Sequence, residues 1–571
     1  MNIRTHQVPA ETLAALGTGG GGTDAVQPLV AAQYSKHLLL IWAVRTMARE
    51  IGHPQASQAG RGFELLADVQ RQAPEAVEAV LRHPSVGAWA DRALRALLSG
   101  EHLSADRPDR AGGEPAQLAA LAAAAAIRAR YPCTIEVPVR RGVITLPSVG
   151  QVTLAPGAVP DGMANVRYTA EGARVIAGRR LIRIPADTRA DAPGWRGLHA
   201  IRATARGLTL RLVIDDLDPD RMPSAGTLGG RLSPAEATRW QRVLPPAWDL
   251  LTDQPGTTAD EIHAALRVLT PLRRPSHGQV SASSREAFGS VALSPPADAL
   301  ALAVSLAQEV QHAKLGAVLD LVPLIEADDG QRYDAPWCDH PRCADAWCED
   351  ARRDGGRCDR ARPISGLLER AYGCLGVTGF WRWQRLAEDR AAAARARLEY
   401  LRWREAAATA TTVLGASGRL TDAGRIFVGG MAATLQAWAD EKMPVAALSR
   451  ARTGHGLPRN QLTVDGRGVR MGEETAVLAH EAVLADAILG DSVLGDSVLS
   501  DSVLGRAVLD DVLVDDVLAD DMVLDAALPG DVVGSDVADV TGMSLRDLDN
   551  CDQSRLAAAA RRLVGPGRDG R

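Results

Sequence analysis

Between residues 134 and 214 the apolar pattern of this chain changes period, and that change limits its fold more than any other feature. Residues 134–139, 143–147, 151–154 and 208–214 are short β-branched or alternating runs separated by Gly and Pro, the pattern of strands. On both sides the spacing is helical. Residues 8–130 read as mainly helix. Within them, 27–51 carries Leu29, Val30, Leu38, Leu39, Leu40 and Trp42, behind a glycine run, Gly19 to Gly22, that breaks any earlier helix. The helical pattern returns over 233–244, 258–272, 296–321, 364–376 and 381–412. Ser233, Pro234 and Glu236 supply a cap, a first-turn proline and an acidic first turn. The expected class is α+β, a mainly helical body around a small β-rich region. Its expected parts are an N-terminal helical region (1–130), a β-rich region (131–222) and a second helical region (223–450).

Charge sets the last hundred residues apart. Residues 471–550 hold 19 acidic and 2 basic side chains, a net of −17 against −6 for all 571 residues, so the remainder carries +11. From Glu481 the pairs Val483-Leu484, Ile488-Leu489, Val493-Leu494, Val498-Leu499, Val503-Leu504 and Val508-Leu509 recur every five residues. A period of five advances about 140° per repeat on a helix and changes face on a strand, so neither element gathers one apolar side. The expectation for 472–571 is an acidic pentad-repeat tail, either without fixed structure or a short β-solenoid, whose removal near Gly472 leaves the body folded. Only Lys36, Lys314 and Lys442 are lysines; every other basic side chain is Arg, which suggests a bacterial gene of high GC content. No apolar run reaches the ~18–20 residues of a membrane span, and no basic stretch precedes an apolar core at the N-terminus, so the expected compartment is the cytoplasm. The basic body lacks an Arg/aromatic stripe, which argues against nucleic acid as a partner.

The most informative chemistry lies in Gln308-Glu309-Val310-Gln311-His312. Gln308 and His312 are four apart and share a helix face. With His at 308 the stretch would be His-Glu-x-x-His, whose two imidazoles hold a metal. As written it has one. No phosphate-binding loop, dinucleotide glycine pattern or nucleophile elbow is present. Asp215-Asp216-Leu217-Asp218 offers either a cation site or a turn before Pro219.

An ordered series of segments from residue 8 to about 445 resembles the HExxH-type peptide β-hydroxylases, 2-oxoglutarate- and iron-dependent enzymes that modify ribosomally made peptides. It includes residues 14–22, Gln33-Tyr34-Ser35-Lys36-His37-Leu38-Leu39-Leu40, Ile214-Asp215-Asp216-Leu217-Asp218-Pro219 and Ser284-Arg285-Glu286-Ala287-Phe288-Gly289. It continues through Gln311-His312-Ala313-Lys314-Leu315-Gly316-Ala317, Ala335-Pro336-Trp337, Leu375-Gly376-Val377 and Phe380-Trp381-Arg382. The resemblance implies Fe(II) and 2-oxoglutarate as cofactors and a precursor peptide as partner. In some relatives a radical SAM peptide-modifying enzyme is fused to the module. It implies a metal held by two His of the helix motif and a third His, at positions that read here Gln308, His312 and Cys374. Glu309 is the catalytic candidate; Arg285 and Arg382 are the candidates for cofactor carboxylates, with Arg385 beside them. A glutamine carbonyl is a weaker donor than imidazole, and thiolate suits zinc or copper better than dioxygen-activating iron. The expected function is therefore peptide maturation by a chain impaired in metal binding, a peptide-binding pseudoenzyme or scaffold. The alternative is an active β-hydroxylase using His312 with substituted ligands. An insertion over 338–361 brings Cys338, His340, Cys343, Cys348 and Cys358 within 21 residues, a candidate structural zinc site without a Cys-x-x-Cys knuckle.

Overall fold

The computed structural model describes residues 4–100, 114–154, 162–223, 229–275, 279–327, 330–334, 361–387, 389–441 and 532–564. The chain opens with strand β1 (Thr5–Pro9) and helices α1 (Ala10–Gly17), α2 (Gly22–Glu50), α3 (Ala56–Gln72), α4 (Pro74–Leu81), α5 (Pro84–Ser99) and α6 (Gln117–Ala129). Helix α2 is apolar on all sides from Leu38 to Trp42, and these five residues are fully buried. A helix with no polar face has to sit inside, and the others wrap it. Its start is set by Gly21 and Gly22, both at positive φ, where a side chain would be strained. The alanine-rich α6 packs tightly on α3: a Cβ on Gly62 would come within 2.5 Å of the Ala119 amide.

The β-rich region follows as β2 (Cys133–Val139), β3 (Val143–Leu146), β4 (Gly150–Thr153), β5 (Gly162–Thr169), β6 (Gly172–Ala177), β7 (Arg180–Arg183), β8 (Trp195–Gly197), β9 (His199–Ala205) and β10 (Leu208–Ile214). One antiparallel sheet has the order β2-β5-β6-β7, a second β3-β4-β8. Helices α7 (Pro234–Thr252) and α8 (Thr258–Ala265) come next. The sequence signal at α7 holds in detail: Ser233 Oγ accepts the Glu236 N–H, and the Glu236 carboxylate accepts the Ser233 N–H at 2.8 Å.

The helix expected over 258–272 stops at Ala265. Val268–Pro271 is instead strand β11, buried at all four positions, parallel to β10 and to β13 (Ser290–Leu293), with β12 (Ser281–Ala282) antiparallel on β13. A strand covered on both faces reads as an unbroken apolar run, and periodicity does not separate that from buried helix. The resulting five-stranded sheet, β12-β13-β11-β10-β9, spans the expected boundary at 222/223, so the β-rich and second helical regions share a core. The chain continues through α9 (Ala299–Leu321), the short pair β14 (Tyr333–Asp334) and β15 (Ala361–Arg362), then α10 (Ile364–Gln384), α11 (Arg390–Ala416) and α12 (Asp422–Ala439). No helix among the described residues is long and apolar enough to cross a membrane.

The expected tail does not behave as one unit. Its repeats, from Glu481 to residue 531, lie outside the described residues. Residues 532–564, however, form β16 (Val532–Ala538), α13 (Leu545–Asp549) and α14 (Gln553–Val564). Strand β16 pairs antiparallel with β1, and Val537, Val540, Leu545, Leu548, Leu556 and Leu563 are buried in the main core. Ser35 Oγ lies 2.9 Å from Thr541 Oγ1, and the Gln70 side chain accepts the Leu545 N–H at 2.8 Å. This corrects the expectation that the chain past Gly472 is dispensable. The missed signals were local: Leu556, Ala559, Ala560 and Leu563 recur at helical spacing, and Ser544 with Asp547 makes a capping box.

Burying one aliphatic side chain contributes about 1.5–3 kcal/mol. Six of them compare with the ~5–15 kcal/mol by which a whole domain is stable. Deleting 532–571 should therefore leave a chain that unfolds at much lower urea or aggregates on expression. An unchanged unfolding midpoint would show that the C-terminal unit adds nothing to the body.

Candidate functional site

Helix α9 starts at Asp298, whose carboxylate accepts the Ala301 N–H at 2.8 Å, and it carries the motif residues through the centre of the body. Gln308 and His312, both half-buried, lie one turn apart, about 6 Å along the axis. His312 Nδ1 faces a Glu309 carboxylate oxygen at 3.4 Å. Glu309 is almost fully buried, and its other oxygen accepts a hydrogen bond from Ser281 Oγ at 2.6 Å; Ser283 bonds to it as well. His312 Nε2 is buried without a hydrogen-bond partner and points at α10, where a Cβ on Gly373 would lie 2.4 Å from it. Glycine at 373 makes room for the imidazole. One turn earlier on α10, Glu369 keeps contact with solvent yet is hemmed in by protein.

Burial is the largest single influence on each of these groups and opposes its charge. For His312 the charge and hydrogen bond of Glu309 more than offset it, so the imidazole stays protonated above its ordinary pKa of 6.5. For Glu309 the attraction of His312 and the bonds from His312, Ser281 and Ser283 hold the carboxyl below its ordinary value. Glu369 goes the other way: enclosure raises it, against the pull of His312 and Arg285. A raised His pKa contributes stability below the unfolded value that is lost as pH rises through the folded one. A lowered Glu pKa contributes above its unfolded value and is lost on acidification. The pair thus stabilises the fold most between the ordinary carboxylate range and about pH 6.5, and the His312 share is lost as pH rises through its raised pKa.

The remaining predicted residues are scattered around this pair. Arg285 is near it, but its Nε donates to Asp320 at 2.7 Å. Asp320 also takes Lys36 Nζ at 2.7 Å and Gln33 Nε2 at 2.8 Å. Cys374 is buried within the main hydrophobic core, and it is its neighbour Gly373 that abuts the imidazole. Arg382 lies nine residues beyond Gly373, about 13 Å along α10. Arg382 and Arg385 do grip a carboxylate, that of Glu441 in the same chain, with Arg382 Nε donating at 2.6 Å. The Arg382 guanidinium also stacks on Trp438 and lines a pocket of about 260 Å³ with Gly19, Gly20, Thr257 and Gln311. The pocket and His312 are therefore separate features of the α9–α10 seam. Cys338, His340, Cys343, Cys348 and Cys358 lie outside the described residues.

Two further polar clusters stand apart from the motif: one around Lys314 that the sequence does not announce, and the Asp215–Asp218 cluster, for which the sequence leaves a cation site or a turn open. Lys314, wholly buried, donates to Glu261 at 2.6 Å and to the carbonyls of Gly19 and Gly20 at 3.0 and 3.1 Å. Glu261 in turn accepts the Gly22 N–H and the Thr257 hydroxyl. Burial pushes the Lys314 pKa down, with Glu261 opposing. The clue was lysine scarcity: in a chain that otherwise uses Arg, both lysines among the described residues are buried against carboxylates. The Asp215–Asp218 cluster builds a turn. Asp215 accepts the N–H groups of Leu217 and Asp218, Asp218 accepts that of Asp220, and Asp216 takes Arg231 and the Leu232 N–H. Ser85 beside it donates to Asp218 at 2.8 Å while its oxygen faces His83 Nδ1, so this buried Ser–His–Asp group does not activate a nucleophile.

The donors do not fit a dioxygen-activating iron centre of the kind the resemblance implies. Such a centre needs two imidazoles and a third strong ligand around open positions. Helix α9 supplies one imidazole, Gln308 is a neutral amide, and among the described residues no three His, Cys, Asp or Glu side chains are grouped to hold a metal. In comparisons with known proteins, no family model matches the chain and no curated protein matches it.

Two outcomes test this electrostatic picture. With Glu309→Gln, burial is left to dominate and the His312 pKa should fall below 6.5 in an NMR titration; a value that stays raised would mean another group holds the proton. Lys314→Met should cost about 3–5 kcal/mol by stranding Glu261, and adding Glu261→Leu should restore much of it. Equal losses in the single and double variants, measured by urea unfolding, would contradict the pairing.

Proposed function

We propose that this protein serves the maturation of a ribosomally made peptide as a peptide-binding pseudoenzyme or scaffold, with the iron chemistry of the β-hydroxylases it resembles impaired. One observation carries the reading: at the position of the first imidazole stands Gln308, while Glu309 is committed to Ser281 and His312 in a closed hydrogen-bonded set. A carboxylate so engaged balances the charge of its own imidazole instead of standing free as a general base. The partners in this reading are a precursor peptide and a radical SAM peptide-modifying enzyme, and the compartment is the cytoplasm. The resemblance supports the partners, since it runs in order through the segments that build α2, the Asp215 turn, α9 and α10.

The test uses the purified full-length chain under anaerobic Fe(II) titration, followed by succinate release from 2-oxoglutarate in air. The expected result is weak iron binding and no succinate above background. Short peptides encoded beside the gene should still bind, and should do so equally in His312→Ala. Gln308→His should strengthen Fe(II) binding by about tenfold or more, as an imidazole replaces an amide. Tight stoichiometric Fe(II) with succinate release in the unaltered protein would overturn the pseudoenzyme reading and establish the active hydroxylase.

A further inference from the structure

The outer face of the β2-β5-β6-β7 sheet carries a row of like charges. In the strand register Thr134 stands opposite Arg167, Arg167 opposite Arg174, and Arg174 opposite Arg183, which puts three guanidiniums side by side across three strands. Val166 and Val175, on the opposite face, are fully buried, so the arginines point outward. Arg174 has Glu171 at 3.2 Å; among the described residues no carboxylate lies at ion-pair distance from Arg167 or Arg183. Like charges directly opposite one another destabilise a sheet, so the row costs stability unless an anion meets it. In the next row on that face Ile176 stands opposite Leu181, with Asn165 and then Glu136 beyond Ile176, and Leu181 is 52% exposed. Strand β7 is the sheet edge, with one side of its backbone unpaired among the described residues.

A ligand for this face offers carboxylates beside aliphatic side chains, and the same chain contains one. Residues 473–531 carry 15 acidic side chains and a single basic one, Arg506, and their repeats place Asp two residues before each Val-Leu pair in Asp491-Ser492-Val493-Leu494 and its successors. The 90 residues that join Glu441 to Val532 have a contour length on the order of 300 Å, more than the body requires. Because β16 anchors the far end on β1, the segment is held near the body from both sides, which raises its effective concentration over that of any free polyanion.

We infer that the acidic repeats dock in cis on the arginine row of β5, β6 and β7, their carboxylates meeting Arg167, Arg174 and Arg183 and their Val-Leu pairs meeting Ile176 and Leu181. The contact is electrostatic in reach and therefore sensitive to salt. It accounts for the separation of charge along this chain, whose acidic repeats and basic body neutralise one another within one molecule.

Arginine modification by phenylglyoxal, read by mass spectrometry on the full-length protein, tests the docking. The comparison protein replaces Asp491, Asp496, Asp501, Asp510, Asp511, Asp515, Asp516, Asp520, Asp521 and Asp525 with Asn. At about 0.01 M ionic strength, Arg167 and Arg183 should react about threefold or more slowly in the unaltered protein, and the difference should vanish near 1 M salt. Arg390 and Arg395, exposed on α11, should react alike in both and report that the fold is unchanged. A fluorescent single-stranded oligonucleotide supplies the second arm: with the face released, the Asn-substituted protein should bind it more tightly than the unaltered one. Equal arginine reactivity in the two proteins, or equal oligonucleotide binding, would overturn docking in cis and leave the row as a surface for an external polyanion.

Discussion

The fold depends on three charges that α9 carries into the protein interior. Glu309, Lys314 and Asp320 are each nearly or wholly buried, and each faces a different neighbour. Glu309 reaches Ser281 on β12, Lys314 reaches α8 and the glycine turn between α1 and α2, and Asp320 reaches α2 and the Arg285 segment. Taking an ion out of water costs several kcal/mol, and only good geometry with further hydrogen bonds offsets it. Lys314 meets that condition by placing all three donors, and Asp320 by accepting from Lys36, Gln33 and Arg285. Ion pairs of this kind add little net stability over apolar packing, yet any arrangement that separates the partners is heavily penalised. They therefore define where α2, α8 and α9 stand relative to one another.

Small residues then let the helices close around those charges. A Cβ on Gly376 would fall 2.5 Å from the Gln311 side chain and 2.7 Å from the Ala307 carbonyl, and Gly373 stands in the same relation to His312. Helix α10 thus lies directly on α9 at the motif. The contact encloses the His312–Glu309 pair and leaves the Gln311–Arg382 pocket on another part of the seam. Glycine at 373 explains how an imidazole whose Nε2 makes no hydrogen bond is accommodated there at all: the atom has the space of a missing methyl group.

Much of this was legible in the sequence, and the failures have physical causes. The helix cap at Ser233, the short strands before residue 214 and the helix carrying Gln308 and His312 all rest on local chemistry that the structure reproduces. Strand β11 was read as helix because its residues are buried on both faces and carry no period. The resemblance makes Arg285 and Arg382 candidates for cofactor carboxylates, whereas the structure ties one to Asp320 and the other to Glu441. Lys314 went unremarked as a site because its importance lies in partners 53 and nearly 300 residues away in sequence.

The C-terminal unit draws the same line from another direction. Sequence alone determined that residues 471–550 are acidic, that their pentad period suits no regular element, and that the motif helix holds one imidazole where two would be needed. Those are properties of side-chain identity and spacing. Only the tertiary structure decided that β16 completes a sheet with β1, that three arginines align across β5, β6 and β7, and that Gly373 faces His312. Each of these is a meeting of segments far apart in the chain. It depends on which buried surfaces and charges can be satisfied together, and no local window of sequence contains that information.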